Sequence, residues 1–455
     1  MRLVGLLAAC VLLSVGVPAV RGVPSAAQEG QRPNVLIIVT DDQRGGLEVM
    51  PATSKRFMKQ GTRYSPAFAT TPVCCPARAS IMTGRYAHNH GVRSNSNEEE
   101  TGADHLDHST TLQRYLNDAG YRTGIVGKFL NPPWRFADNP PYFDEWATVG
   151  GTENPSGLGW FDTTFNVNGD ATPTKGYITT VMRRRAVNFI RRNSGETPWY
   201  LYIGTRAPHP PAPAQPRYER MRVQKWGGNP AVFEEDKSDK PLYVQKRHRG
   251  LAHANKTRRA QFRTLASVDD MVEAIFEQLA EEDERDTLVF FISDNGLGWS
   301  EHGIGGKGNP YKGSTRVPML ARWPGHIAKG MKDRRWAANI DIAPTILDAV
   351  GVAPQTPMDG RSLLRPWKRD RILLEFWCNS ETQVCNRWAS TQTRQHQYTE
   401  YYEEGETVFR EFYDSSDRWQ LENLLGNDDP RDDPDTTAIE AQLQADRKCV
   451  GVSCP

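Results

Sequence analysis

The sequence has almost no net charge, since 56 lysines and arginines are set against 55 aspartates and glutamates and the formal net charge is +1. This balance gives no global field that would favour nucleic acid or a membrane surface as partner, so any preference for anions has to be local. The sequence also lacks internal repeats, low-complexity tracts and, beyond Val20, any apolar run long enough to span a membrane. Its 455 residues with 38% hydrophobic content instead fit one large domain and a smaller one.

The first residues have the pattern of a secretory signal peptide. Met1-Arg2 precedes an apolar run from Leu3 to Val20, and small residues around Ala27 offer a cleavage site. A lipoprotein site at Cys10 and an uncleaved anchor are the alternatives, but the apolar region before Cys10 is short and the run is marginal for a full span. We therefore expect residues 1–27 to be a signal peptide and the mature protein to be secreted, with no stable membrane span and no nucleic-acid partner.

Alternating apolar runs and helical patterns predict an α/β fold. Continuous apolar runs of strand length are typical of parallel strands covered on both faces, and helical periodicity lies between them. The expectation is a large mixed, mostly parallel β-sheet flanked by helices. The predicted strands are Val35–Val39, Trp199–Ile203 and Thr287–Ile292, and the predicted helices are Ser109–Ala119, Thr179–Arg192 and Ser267–Glu281.

Two segments rich in Pro and Gly, Pro132–Gly176 and Pro208–Lys240, show little periodicity and are predicted to be long ordered loops over a site. Beyond residue 365 the composition shifts to short strand-like pieces, such as Ile372–Trp377 and Tyr398–Tyr402. We place the catalytic α/β domain at residues 32–365 and a small C-terminal α+β subdomain at residues 366–455.

Polar side chains follow two of the predicted strands. Asp41 and Asp42 come directly after the first strand, and Asp294 and Asn295 come directly after Thr287–Ile292. Taken as isolated pairs they would more often be turn or helix-cap residues. Open α/β sheets, however, place ligands at the carboxyl ends of their strands, where carboxylate and amide oxygens suit a hard cation such as Ca²⁺.

Three basic residues lie in motif-like or Gly-rich contexts instead of on helix faces: Arg78, Lys128 in Gly-Lys-Phe-Leu-Asn, and Lys307 in Gly-Lys-Gly-Asn-Pro-Tyr. A lone lysine in such a loop is usually exposed, but a bound oxyanion needs cationic donors of this kind. His209 and His302 are candidate substrate contacts, because histidine titrates near neutrality.

The stretch Cys74–Arg85 reads Cys-Cys-Pro-Ala-Arg-Ala-Ser-Ile-Met-Thr-Gly-Arg. Its cysteines could be ordinary buried thiols or half of a disulfide. The stretch nevertheless resembles the signature of the type I, formylglycine-dependent sulfatases of the alkaline phosphatase superfamily. The Asp-Asp and Asp-Asn pairs and the Gly-Lys motifs also match motifs of this family. Gly-Lys-Phe-Leu-Asn, the doubled cysteine and the segment Tyr-Ala-His-Asn-His are more similar to the N-acetylglucosamine-6-sulfatase and heparan endosulfatase branch.

This resemblance implies an alkaline-phosphatase-like fold and sulfuric ester hydrolase activity. A formylglycine-generating enzyme would convert Cys74 to Cα-formylglycine, whose hydrated aldehyde attacks the sulfur of a sulfate ester while His209 protonates the leaving alcohol. By the same resemblance one Ca²⁺ is bound by Asp41, Asp42, residue 74, Asp294 and Asn295. The catalytic group is Cys74, Arg78, Lys128, His209 and Lys307, and the substrate contacts are Lys128, His209, His302 and Lys307. The substrate is expected to be a sulfated carbohydrate such as N-acetylglucosamine 6-sulfate.

The chain departs from the family pattern at Leu130, where many members carry a histidine two residues after the lysine of the Gly-Lys motif. Asn131 is a weak candidate to replace it. With Cys10 in the signal peptide and Cys74 converted, the remaining cysteines allow two disulfides. The local pairs Cys378–Cys385 and Cys449–Cys454 are the simplest connectivity, although sequence alone leaves the pairing open.

Two other functions remain open at this stage. A phosphodiesterase or phosphonate monoester hydrolase of the same superfamily would use similar groups on a similar tetrahedral anion. A secreted protein that binds sulfated glycans would keep the cation site but leave Cys74 unconverted. The basic tract Lys246–Arg263 would either contact an anionic glycan or be a solvated helix face.

Overall fold

The strands form one large sheet, one four-stranded sheet and two short pairs. A computed structural model describes residues 32–96, 101–131, 134–151, 153–156, 159–195, 197–279, 281–377, 387–427 and 429–455. Its strands are β1 (Asn34–Thr40), β2 (Thr62–Tyr64), β3 (Ala67–Phe68), β4 (Arg122–Lys128), β5 (Glu145–Val149), β6 (Thr164–Val167), β7 (Asp170–Pro173), β8 (Trp199–Gly204), β9 (Thr287–Ser293), β10 (Gly298–Trp299), β11 (Gly305–Gly306), β12 (Met319–Arg322), β13 (Met331–Asp333), β14 (Ala337–Ala338), β15 (Arg371–Phe376), β16 (Arg387–Thr393), β17 (His396–Glu403) and β18 (Glu406–Asp414). The predicted signal peptide and the pair Cys378 and Cys385 lie outside the described residues.

Helices connect these strands, and several shorter turns are 3₁₀ or π in character. The α-helices are α1 (Pro51–Thr53), α2 (Cys74–Thr83), α3 (Ala87–His90), α4 (Leu112–Asp118), α5 (Ile178–Asn193), α6 (Leu242–Gln245), α7 (Leu251–Gln278), α8 (Glu281–Arg285), α9 (Lys312–Thr315), α10 (Ile342–Val350) and α11 (Thr437–Asp446).

The large sheet has ten strands in the order β13-β2-β12-β9-β1-β8-β4-β5-β6-β7. Strands β9, β1, β8, β4 and β5 are parallel neighbours, whereas β12 is antiparallel to both β9 and β2. The three predicted strands are confirmed as β1, β8 and β9 at its centre. The sheet is therefore mixed and mostly parallel, as the sequence predicts.

Helices cover both faces of this sheet because its central strands are apolar on both sides. Along β1, Val35 and Val39 pack with α2, α4 and α10, whereas Leu36 and Ile38 pack with α5 and α7. Each fully buried aliphatic side chain of this kind contributes about 1.5–3 kcal/mol relative to an exposed one. This double burial fixes the strands whose carboxyl ends carry the polar pairs.

The prediction of a loop over Pro132–Gly176 is wrong in part, because β5, β6 and β7 extend the sheet there. β6 and β7 are joined by Asn168-Gly169, both at positive φ (51° and 99°), which is the two-residue turn that favours a hairpin. Helix α7 also begins well before the predicted Ser267. The segment Pro208–Lys240 contains only short 3₁₀ turns, which agrees with the loop predicted for it.

The C-terminal part forms the antiparallel sheet β15-β16-β17-β18 with α11 beside it, which confirms the predicted strands there. Phe68, Tyr86 and Trp336 contribute to the same hydrophobic cluster as this sheet. Residues Arg32–Pro455 make up one compact unit. Cys449 and Cys454 form a disulfide, as expected. Among the residues described, no helix is both long and apolar enough to cross a bilayer.

Candidate active site

Two pairs of polar residues meet at the carboxyl ends of neighbouring strands. β1 and β9 pair in parallel with Thr40 opposite Ser293, so the residues that follow them are adjacent. The Asp42 amide donates to Asp294 Oδ1 at 3.1 Å, and Asn295 Nδ2 donates to Asp42 Oδ1 at 2.6 Å. All four side chains of the two pairs are buried. The structure therefore brings the two pairs into contact at the carboxyl ends of β1 and β9.

Cys74 is the first residue of α2 and points into this group. Its Sγ lies 3.4 Å from Asp41 Oδ1, and donor atoms of Asp41, Asp42 and Cys74 all lie within 4.8 Å of one another. Burial, with the Asp41 carboxylate as the next cause, raises the pKa of the Cys74 thiol to about 12. The unmodified side chain is thus a neutral thiol near pH 7 and a weak nucleophile.

Arg78 lies one turn further along α2 and is completely buried. Its Nε donates to Asp294 Oδ2 at 2.9 Å and its Nη1 donates to the Lys128 carbonyl at 3.0 Å. Gly204 makes this approach possible, since a Cβ there would lie 2.0 Å from the Lys128 oxygen and 2.7 Å from Arg78 Nη1. Arg78 Nη2 lies 3.8 Å from Asp41 Oδ2 and has no hydrogen-bond partner in the described part of the chain.

Lys128 and Lys307 approach the same carboxylates from two other segments. Lys128 ends β4 and donates from Nζ to Asp41 Oδ2 at 2.7 Å. Lys307 donates to Asp42 Oδ1 at 2.5 Å and to Cys74 Sγ at 2.8 Å. Burial opposes both charges, but Asp41 raises the pKa of Lys128 and Asp42 raises that of Lys307. Against its own burial, Asp41 has a pKa held well below its usual range, with Lys128 the main cause.

His209 faces the site from the loop after β8. Its Nδ1 lies 2.6 Å from the Pro210 carbonyl, which can only accept, so Nδ1 carries a proton and Nε2 faces the site 3.7 Å from Asp42 Oδ2. The side chain is one-third exposed, at 33%. Elsewhere in the described ranges, no other histidine forms an ion pair with these carboxylates.

We call Asp41, Asp42, Cys74, Arg78, Lys128, His209, Asp294, Asn295 and Lys307 the catalytic cluster. His302, which the sequence also singled out, makes no recorded contact with this cluster within the described residues. Its Nδ1 lies 2.6 Å from Glu234 Oε2, and its ring packs against Tyr311 at 4.3 Å between centroids. Leu130 is buried in the core, so no polar group occupies the position of the absent histidine. Asn131 Oδ1 is buried without a hydrogen-bond partner, and no contact joins it to the described cluster.

Two residues near the catalytic cluster were not among the site residues predicted from the sequence. Gln261 of α7 donates from Nε2 to the carbonyls of Asp42 and Pro208 at 3.0 and 3.4 Å, so it links the loops that carry Asp42 and His209. Arg206 stacks over Trp160 at 5.0 Å, and its Nε and Nη1 are buried without partners among the described residues. The only sequence signal for either was its place in a basic or Pro-rich stretch.

The catalytic cluster fits a hard divalent cation. Asn295 Oδ1 is buried and lacks a hydrogen-bond partner in the described residues, beside the carboxylates of Asp41 and Asp42. A buried amide oxygen without a donor is costly unless a cation or water pairs with it. Carboxylate and amide oxygens are the ligands that Ca²⁺ prefers, so the donor set suits that ion.

Comparisons with known sequences identify relatives of the chain. It is 32% identical over 384 residues to the putative extracellular sulfatase Sulf-1 homolog of Caenorhabditis elegans, covering 75% of this chain and 52% of that protein. It is 30% identical over 397 residues to the N-acetylglucosamine-6-sulfatase of Homo sapiens, covering 78% of this chain and 69% of that protein. The chain thus spans about half the length of the Sulf-1 homolog.

Solved structures share the fold at lower identity. BT4656, in complex with its substrate D-Glucosamine-2-N, 6-O-disulfate, matches with a TM-score of 0.72 at 21% identity, covering 91% of this chain and 96% of that one. The phosphonate monoester hydrolase of Agrobacterium radiobacter matches with a TM-score of 0.70 at 21% identity and the same coverages, 91% and 96%. At these identities the matches establish a shared fold.

Family models match most of the chain. The model for the C-terminal region of N-sulphoglucosamine sulphohydrolase matches residues 300–448. The Sulfatase model matches residues 33–352, which include every residue of the catalytic cluster. This chain therefore belongs to the sulfatase family.

Proposed function

We propose that the protein is a secreted, Ca²⁺-dependent sulfatase that hydrolyses the sulfate ester of a sulfated sugar. The observation that carries this proposal is the position of Cys74 at the start of α2, in contact with Asp41 and Lys307. A side chain placed among buried carboxylates and cations can meet both a metal-bound anion and the donors that stabilise it.

The charges of the catalytic cluster support an anionic substrate bound together with a divalent cation. Three carboxylates, those of Asp41, Asp42 and Asp294, are in contact with three cations, those of Arg78, Lys128 and Lys307. The buried group is therefore close to neutral, because the Cys74 thiol is uncharged. A divalent cation alone leaves an uncompensated buried charge, which the single negative charge of a sulfate monoester offsets in part and the dianionic sulfate product offsets in full.

Each residue of the catalytic cluster then has its own role in the hydrolysis of the sulfate ester. Converted to Cα-formylglycine by a formylglycine-generating enzyme, residue 74 would supply a hydrated aldehyde as the nucleophile for sulfur. Ca²⁺ held by the Asp and Asn oxygens would supply positive charge next to the sulfate oxygens. Arg78, Lys128 and Lys307 bind and orient the anion with fixed donors. His209 Nε2, when protonated, donates to the leaving alcohol oxygen because it faces the open side of the cluster.

The relatives support the finer features of the proposal. One is named as an N-acetylglucosamine-6-sulfatase and another as an extracellular sulfatase. A 6-sulfated glucosamine is therefore the substrate to test first, and export through the predicted signal peptide at residues 1–27 is the corresponding location.

The test is to produce the chain with a formylglycine-generating enzyme and analyse the tryptic peptide Tyr64–Arg78 by mass spectrometry. We expect an aldehyde at residue 74 and turnover of glucosamine 6-sulfate. Cys74→Ala should lower kcat/KM by at least about 10⁴-fold, the scale seen when a nucleophile is removed. Cys75→Ala is the matched control, since Cys75 is equally buried but packs in the apolar core and should keep its turnover.

Two outcomes would overturn the proposal. A thiol at residue 74 in fully processed native protein would exclude the formylglycine nucleophile and favour a protein that binds sulfated glycans without turnover. A kcat/KM for a phosphonate or phosphate diester that exceeds the value for every sulfate ester tested would favour the phosphoryl-transfer alternative, which shares this fold.

A further inference from the structure

The sheet topology places several basic residues at the same edge as the catalytic cluster. β12 is antiparallel to both β9 and β2, and β13 is parallel to β2. β2 and β13 therefore run in the same direction as β9, and their carboxyl ends lie at the edge where Asp294 follows β9. With about 4.8 Å between strands, the edge from β9 to β13 extends roughly 15 Å from the catalytic cluster.

The first part of this edge is a cavity of about 600 Å³ beside the end of β2, into which Arg316 projects. Arg316 is half-buried and lies over the Phe68 ring at 3.8 Å. Its pKa is lowered to about 9 by burial, and no carboxylate pairs with it in the described ranges. A cation stacked on aromatic rings without a counter-charge is suited to an incoming anion.

A neighbouring cavity of about 340 Å³ shares Arg316 and adds Lys312 and Arg418. The Lys312 Nζ donates only to a carbonyl, that of Arg418, at 2.8 Å. Burial, followed by the nearby Arg316, lowers the pKa of Lys312 to about 8. Trp419 lines the same cavity and offers a flat apolar surface next to these cations.

A third cavity, of about 510 Å³, continues the edge beyond β13. Arg334, Lys368 and Arg394 line it, all three with exposed side chains. Trp336 connects this cavity to the first, because Arg316 lies 5.8 Å and Arg394 lies 5.4 Å from the centre of its ring. The first two cavities share Arg316 and the third approaches the first at Trp336, so all three lie along one edge of the surface.

We define the basic track as the cations of this surface that have no ion pair within the described part of the chain. They are Arg63, Lys312, Arg316, Arg334, Lys368, Arg394 and Arg418. Other cations along the edge are already neutralised, such as Arg44 by Glu301 at 2.7 Å and Arg335 by Asp333 at 2.6 Å. In a chain with a formal charge of +1, this concentration of unpaired cations is a local feature.

Within the tract Lys246–Arg263, which sequence offered as a possible glycan contact, Arg258 and Arg263 differ from the basic track. Arg258 donates to the Gln224 carbonyl at 2.5 Å and stacks on Phe262, and Arg263 donates to the Met221 carbonyl at 3.1 Å. These cations hold the Pro208–Lys240 loop against α7, so their donors are used within the fold.

We propose that the basic track binds a linear sulfated polysaccharide, so that the sulfated sugar at the catalytic cluster is one residue of a longer chain bound along the sheet edge. This inference rests on the proposed sulfatase function for the identity of the polymer. The cations face successive anionic groups of the chain, and the rings of Trp419 and Trp336 lie beside them. A single sugar sulfate is too short to reach from the catalytic cluster to Arg394.

The test uses the full chain with residue 74 converted, and the triple variant Arg334→Gln, Lys368→Gln, Arg394→Gln. These side chains are exposed, so the variant should fold. The triple variant Lys175→Gln, Arg184→Gln, Arg191→Gln removes the same charge from exposed positions around α5 and is the matched control. The probes are immobilised heparin, a heparin-derived dodecasaccharide and glucosamine 6-sulfate.

We expect the track variant to elute from heparin at a lower NaCl concentration than the wild type. We also expect its ratio of kcat/KM for the dodecasaccharide over the monosaccharide to fall about tenfold, as electrostatic capture is lost. The control variant should match the wild type in both measurements.

The proposal would be overturned if the track variant and the control variant eluted from heparin at the same NaCl concentration, or if both lost the same fraction of the kcat/KM ratio. Tighter binding of double-stranded DNA than of heparin would overturn it as well. If the protein turns over no sulfate ester, the proposed function fails. The salt shift on heparin still decides whether the track binds a sulfated polysaccharide, so the two failures are distinguishable.

Discussion

Two completely buried Arg–Asp pairs serve different purposes in this protein. Arg369 and Asp341 form a two-pronged pair, with both N···O distances at 2.8 Å. Arg78 and Asp294 form a single contact at 2.9 Å, and each arginine leaves one nitrogen, Arg78 Nη2 or Arg369 Nε, without a hydrogen-bond partner in the described residues. Both pairs are inaccessible to water, so burial alone does not separate a structural pair from a functional one.

The difference lies in what completes each pair. The Asp341 oxygens also accept hydrogen bonds from the backbone amides of Ala338 and Arg361. The carboxylate therefore joins β14 to the region before β15. Arg78 instead belongs to a cluster of several charges with an unpaired amide oxygen on Asn295. A buried pair without such neighbours stabilises the fold, whereas a pair beside further charges and an unpaired amide oxygen is suited to a ligand.

The largest expected difference between the two pairs is the one produced by neutralising each arginine in turn. Arg78→Gln should lower kcat/KM by about 10²–10³-fold, the usual loss when one donor to a developing anion is removed. Arg369→Gln should instead lower the free energy of unfolding by about 3–5 kcal/mol, because Asp341 is left buried and unpaired. Urea unfolding and kinetics on the folded fraction measure both. A similar loss of kcat/KM in folded Arg369→Gln would show that the two pairs are not distinct.

Calcium should also distinguish the two pairs, because only the catalytic cluster around Arg78 should bind it. At about 100 times its dissociation constant, Ca²⁺ should raise the free energy of unfolding by about 2.7 kcal/mol. Asn295→Ala should lose most of this increment. Asn339→Ala is the matched control: Asn339 is also buried, but its Oδ1 accepts from Thr70, so the variant should be less stable and keep the increment. An equal response of both variants would argue against Asn295 as a ligand.

Much of the catalytic cluster could be predicted from sequence because its residues follow local signals. Asp41 and Asp294 each follow an apolar run, and parallel pairing of two such runs brings their ends together. Arg78 is fixed by the turn of a helix four residues after Cys74. The strand period and the rule that parallel strands end at one edge place the two Asp residues, whereas the assignment of Cys74 and Arg78 to the same site came from the resemblance to the sulfatase signature.

The remaining features depend on contacts that no local pattern encodes. Asp341 and Arg369 meet because two distant loops pack together, and Arg316 and Arg394 share Trp336 only once the C-terminal sheet is in place. The hairpin at Asn168-Gly169 did carry a local signal, but its strands are only four residues long and were hidden in a Pro-rich and Gly-rich segment.

A third kind of buried ionisable group forms no ion pair within the described residues, and it gives the smallest expected effect. His108 stacks near Phe129, and its pKa is lowered from 6.5 to about 4 by burial. Because the folded state binds the proton less readily, the stabilisation is complete above about pH 6.5 and is lost as the pH falls towards 4. From pH 6.5 to pH 5 this loss amounts to at most about 2 kcal/mol, since each pH unit is worth about 1.4 kcal/mol.

His108→Phe should therefore reduce the loss of stability between pH 7 and pH 5, measured as the free energy of unfolding in urea. The difference from the wild type is needed because other histidines contribute as well. Burial lowers the pKa of His90 to about 3, so His90 adds to the loss. Glu375 raises the pKa of His88 against its burial, and this pair opposes the loss. His248→Gln, at an exposed position, is the control and should leave the slope as in the wild type. If the free energy of unfolding of His108→Phe changed between pH 7 and pH 5 as much as that of the wild type, water would have to reach the ring. Buried groups without an ion pair would then not form a separate class in this fold.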